Sequence, residues 1–195
     1  MNRKFLVVAM VLLVVIVAAV LVYGAINPGG EEFHGSLISP PKPAADFALI
    51  DQSSETTSLS DFRGKYALIF FGFTNCPDEC PLTMGYLKQM YDKLGDQAEN
   101  VQVILITSDP DTDTPEVMGE FLSHFDPSFI GLTASKEELQ DVWADYGVTV
   151  MDDGETHSNF LYLIDPQGNL MATYPLLENS DDITADIENL LASME

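Results

Sequence analysis

The chain has 195 residues, with 31 acidic against eight basic side chains and a net charge of −23 at pH 7. With Arg3 and Lys4 set aside, six basic residues face all 31 acidic ones from Glu31 onward. A balance of −25 there disfavours nucleic acid and anionic lipid surfaces and tolerates cations or basic partner patches. Two cysteines exclude a disulfide-held scaffold, because residues 45–195 carry enough Val, Ile, Leu and Phe for a core of their own.

Residues 1–4 hold Arg3 and Lys4 and precede an uncharged apolar run over residues 5–23. At about 1.5 Å per residue, that run is long enough to cross a hydrocarbon core as one transmembrane helix. The basic residues before it predict a cytoplasmic N-terminus. A cleaved signal peptide is the rival reading, but its apolar region is usually about 7–15 residues, and no clear A-x-A site follows. No cysteine follows the run either, which argues against a lipoprotein. Under both readings the remainder is exported, so the expected location is the cell membrane, single-pass, with the C-terminal domain on the periplasmic side. Residues 24–44, with Gly29-Gly30 and Pro40-Pro41, read as a linker to a domain over 45–195.

Within that domain Ala45–Leu49 is a first strand and residues 61–65 a turn. Tyr66–Phe71 is continuously apolar, as a central strand buried on both faces requires. From Leu82 to Leu94 the period becomes helical, with Leu87, Met90, Tyr91 and Leu94 on one face. Val101–Thr107 is a strand. Thr114-Pro115 opens a helix to about Phe125, and Phe129–Leu132 is a short strand. Ser135 and Glu138 have capping-box spacing before a helix carrying Leu139, Val142, Trp143 and Tyr146. Phe160–Ile164 and Leu170–Tyr174 flank Asp165-Pro166-Gln167-Gly168 as a hairpin. Asp181 or Asp182 caps the last helix. This alternation predicts an α/β fold with a central mixed sheet flanked by helices.

The chemistry concentrates at Cys76 and Cys80, in Gly72-Phe73-Thr74-Asn75-Cys76-Pro77-Asp78-Glu79-Cys80-Pro81. Two soft donors four residues apart suit a thiol–disulfide couple or a metal clamp. Each cysteine precedes a proline, which keeps it out of a helix interior. Cys80 is therefore placed near an N-cap with Pro81 as first helical residue, where the helix terminus favours the thiolate. Asp78 and Glu79 oppose the thiolate and attract a cation. A permanent disulfide would close a very short loop and contribute little chain entropy. Of the histidines, His34 falls in the linker and is expected to be solvated, and His124 lies near a helix end at the surface. His157 sits in a polar loop before a hydrophobic strand, a place where α/β folds gather functional groups.

With those residues in view, the chain resembles the Sco (SCO1/SenC) family of membrane-anchored copper proteins that assist cytochrome c oxidase assembly. The resemblance runs from about Phe33 to the C-terminal helix. It rests on Phe70 through Pro81, on Asp109-Pro110 through Asp113-Thr114-Pro115, on Gly131-Leu132-Thr133, and on His157-Ser158 ahead of Leu163 through Gly168. It implies a thioredoxin-like fold, with Cys76, Cys80 and His157 as copper ligands and Cys76–Cys80 as a disulfide when oxidised. Thiolates suit Cu(I), and an imidazole supports Cu(II) as well. The implied partners are the copper-bearing subunit of cytochrome c oxidase, other copper carriers and thiol reductants. Where the family more often has an apolar residue this chain has Glu79, and where it often has an aspartate before the histidine this chain has Thr156.

The implied role is a metallochaperone rather than an enzyme. The alternative is an extracytoplasmic thiol–disulfide oxidoreductase keeping oxidase or other cysteines reduced, with Cys76 and Cys80 as the redox pair. The usual Cys-x2-Cys spacing is absent, as are an obvious proline just before the Phe160–Ile164 strand and the peroxiredoxin Pro-x3-Thr-x2-Cys pattern. A redox sensor is a third reading of the same thiols. Asp109, Asp111 and Asp113 lack the following glycine and distal glutamate of a calcium loop, so they read as a turn into a capped helix.

Overall fold

The computed structural model describes residues 10–19, 22, 33–150, 160–175 and 179–194. It divides into two compact units, Met1–Phe33 and His34–Glu195. In the first, residues 10–19 and 22 are helical and exposed. Among the described residues no helix is long and apolar enough to cross a membrane, and the expected span over 5–23 lies only partly within them.

The second unit is built on one eight-stranded sheet: β1 (Ser36–Pro43), β2 (Ala48–Asp51), β3 (Thr56–Ser58), β4 (Tyr66–Gly72), β5 (Val101–Thr107), β6 (Ile130–Thr133), β7 (Leu161–Ile164) and β8 (Asn169–Tyr174). Among the described residues four α-helices accompany it: α1 (Glu79–Leu94), α2 (Pro115–Leu122), α3 (Lys136–Tyr146) and α4 (Asp181–Ala192). The strand order is β1-β8-β7-β4-β5-β6-β2-β3. β4, β5 and β6 are parallel, and the remaining pairs are antiparallel, so the sheet is mixed as the sequence predicts.

Residues alternate between two faces. Ala67, Ile69 and Phe71 join Ile104, Ile106, Leu132 and Tyr162 against Leu139, Val142, Trp143 and Tyr146 of α3. On the other face α2 packs so closely that a Cβ on Gly131 would meet Leu122 at 2.8 Å. Tyr91 of α1 sets its ring edge-on to Phe129 at 4.9 Å and donates to the Val101 carbonyl at 2.6 Å. α4 lies beside α1, where Lys93 Nζ donates to Ser180 Oγ at 2.7 Å.

The segment read as a linker differs most from expectation. Residues 36–43 form β1, an edge strand paired antiparallel with β8, its register broken between Leu37 and Lys42. Pro40 and Pro41 lie in that break, and having no N–H to offer they are tolerated at a sheet edge and block further pairing there. His34 is likewise not simply solvated. Its Nδ1 is 2.9 Å from Asp186, and the buried Asp186 carboxylate also accepts from the His34 N–H (2.9 Å), the Gly35 N–H (3.1 Å) and the Tyr174 hydroxyl (2.9 Å). Such a fully bonded carboxylate fixes the start of the domain to α4.

Candidate metal centre

β4 is buried along all seven residues, and its C-terminal end delivers the chain to the cysteine segment. The backbone turns at once: the Cys76 N–H donates to the Phe73 carbonyl at 3.3 Å, closing a four-residue turn with Thr74 and Asn75 at its centre. Cys76 is half-buried and Cys80 buried, and both are free thiols. They are brought together, with the Cys80 N–H donating to the Cys76 sulfur at 3.4 Å.

α1 begins at Glu79, so Cys80 is its second residue and Pro81 its third, a little further into the helix than the proline spacing predicts. The expected lowering of the Cys80 thiol by the helix terminus is not what prevails. Only 3% exposed, Cys80 is pushed well above its ordinary value by burial. The Phe73 backbone opposes this, while Cys76 and then Glu79 add to it. The burial has a local cause, since Gly72 has no side chain. A Cβ there would lie 2.8 Å from the Cys80 sulfur and 2.8 Å from the Phe70 ring.

A second set of residues holds the loop from below. The Asp113 carboxylate, fully buried, accepts from the Thr74 N–H (3.1 Å), the Thr74 hydroxyl (2.5 Å) and the Thr107 hydroxyl (2.6 Å). Burial raises its pKa, the threonine bonds acting against that shift. Thr107 ends β5 and pairs with Gly72, and its carbonyl accepts from Trp143 Nε1 at 3.1 Å. The Ser108 N–H donates to the Gly72 carbonyl at 2.8 Å, tying the two strand ends. The acidic turn is thus no cation loop but a turn into α2, whose N-cap Thr114 accepts from Val117 N–H. Neither Gly72 nor the Thr74–Asp113 pair announces itself by spacing; both lie within the segments that carry the family resemblance.

β7 enters the sheet beside this point, with Leu161 opposite Phe70 near the end of β4. His157 lies outside the described residues, as do Thr156 and the acidic residues 152, 153 and 155. Among the described residues no group of three or more His, Cys, Asp or Glu side chains could hold a metal. His124 is exposed, with Nδ1 2.9 Å from the Glu120 carbonyl oxygen. The donor set in view is therefore two adjacent sulfurs, one half-buried and one enclosed, which suits a soft monovalent metal.

Most of the chain is similar to known proteins. A family model described as SCO1/SenC matches residues 37–192. The chain is 34% identical over 171 residues to an SCO2-like protein of Rickettsia felis, covering 76% of this chain and 83% of that one. It is similar to apo Sco1 from Thermus thermophilus at 33% identity and a TM-score of 0.71, over 85% of this chain and 100% of the other. It is also similar to Bradyrhizobium japonicum ScoI, solved with copper bound, at 32% identity and a TM-score of 0.66, over 75% and 98% of the two chains. The fold is thioredoxin-like.

Proposed function

The chain belongs to the SCO1/SenC family, and on that premise we propose that it is a membrane-anchored copper chaperone. Proteins of this family bind copper and take part in cytochrome c oxidase assembly. Here Cys76, Cys80 and His157 hold Cu(I) or Cu(II) and deliver it to the binuclear copper site of the oxidase during assembly. The observation that carries the reading is the apposition of two free thiols at the end of β4. The entry of β7 beside that strand end supports His157 as third donor, since it precedes Leu161 by four positions. Three ligands leave a position open for the accepting site, as transfer of metal requires. Residues 5–23 anchor the chain, with the N-terminus cytoplasmic and the domain on the periplasmic side. The copper-bearing oxidase subunit is the partner, and other copper carriers and thiol reductants supply the protein.

The asymmetry of the pair, Cys76 half-buried and Cys80 enclosed, favours a second reading as well. A more accessible thiol that attacks and a buried one that resolves is the arrangement of a thiol–disulfide reductase. The two roles are compatible, because the pair must be reduced to bind Cu(I). Cells carrying Cys76→Ser discriminate delivery from its absence. Oxidase activity under scarce copper is expected to fall severely; unchanged activity would count against delivery.

A further inference from the structure

We propose that Asp113 is a positioning residue for the Cys76–Cys80 pair, acting through Thr74 to set where the Cys76 sulfur lies. This rests on the reading of the pair as the copper and redox centre. Thr74 is the second residue of the turn whose closure, Cys76 N–H to Phe73 carbonyl, determines the direction in which Cys76 leaves the backbone. Asp113 holds that residue twice, by its N–H and by its hydroxyl. One bond alone would leave the peptide free to pivot; two to one carboxylate fix both its position and its orientation.

The anchor is itself rigid. The Asp113 N–H donates to the Asp109 carbonyl at 2.9 Å, and the Thr107 hydroxyl donates to Asp113 while accepting from the Asp109 N–H at 2.9 Å. Thr107 is fully buried at the end of a central strand, its carbonyl held by Trp143. A turn 39 residues away in sequence is thereby referenced to the sheet. The free-thiol arrangement is the one in which these bonds are formed. Loosening them removes support from the dithiol and from any metal held in the same disposition. A carboxylate sequestered merely to fill the core would have no such effect on the sulfurs.

Three variants of the full chain in detergent test this: Asp113→Asn, Thr74→Val and Thr74→Ser. Each is titrated with Cu(I) against a competing chelator. Each is also equilibrated with glutathione, where the two thiols give up two electrons and two protons to form the disulfide as glutathione disulfide becomes two glutathiones. Asp113→Asn is expected to weaken Cu(I) binding about tenfold and to shift the equilibrium about tenfold toward disulfide, about 30 mV for this two-electron couple. Thr74→Val, which keeps the backbone bond, should lose about threefold in each, and Thr74→Ser, which keeps the hydroxyl, should stay within about twofold of wild type. Should Asp113→Asn fail to fold, the Thr74 pair decides alone. Folded Thr74→Val with wild-type affinity and wild-type equilibrium overturns the proposal. Wild-type protein that binds no Cu(I) overturns the copper reading instead, and the glutathione equilibrium then still decides the positioning role.

Discussion

At Gly72 a missing side chain shapes the centre as much as the cysteines do. An added methyl would sit 2.8 Å from both the Cys80 sulfur and the Phe70 ring, and the sulfur is enclosed, so both contacts must be relieved by a shift. Overpacking of this kind typically costs about 1–3 kcal/mol. Gly72→Ala is thus expected to lower stability by that amount in urea unfolding and to weaken Cu(I) binding as Cys80 moves. A variant as stable as wild type with unchanged affinity would show that the Gly72 contact does not set the Cys80 position. The sequence makes the cysteines legible because soft donors at short spacing have few other uses. Gly72 and Asp113 are not legible in that way. Their roles arise from strand pairing and from a contact spanning 39 residues, which no local period records.

At the level of elements, local chemistry and buried runs carry the prediction furthest. Ser135 and Glu138 form the reciprocal capping box at the start of α3, and Thr114 with Pro115 opens α2. β4, continuously apolar over Tyr66–Phe71, proves central and fully buried, and so does β5 although it carries Gln102 and Thr107. The ends are shifted where propensity is weak: α2 stops at Leu122, short of Phe125, and Ser180 rather than an aspartate occupies the N-cap of α4. β1 and β3 escape sequence reading because they are short or proline-bearing edge strands with polar residues and no apolar alternation. What holds β1 is tertiary, namely pairing with β8 and the Asp186 cluster at its start. Asp186→Asn leaves one acceptor oxygen for donors that now share two, and hydrogen bonds to charged groups are each worth about 1.5–3 kcal/mol. A loss of about that size is expected, with faster amide exchange over residues 34–43. Unchanged exchange in that segment would contradict the role given to Asp186.

For the molecule as a whole, the sheet places three strand ends together: β4 leads into the cysteine segment, β5 carries the Thr107 anchor, and β7 follows His157 in the chain. The charge of −25 beyond the apolar N-terminal run adds a field that favours cations over anionic partners. On the proposed reading, the dithiol in such a domain holds copper and passes it on, with His157 added as the donor for the divalent ion. The full chain titrated with Cu(I) and with Cu(II) tests that claim most directly. One ion of either kind is expected to bind per chain, Cys76→Ser or Cys80→Ser should abolish tight Cu(I) binding, and His157→Ala should lose Cu(II). Wild-type binding of both ions by His157→Ala would contradict the three-ligand centre.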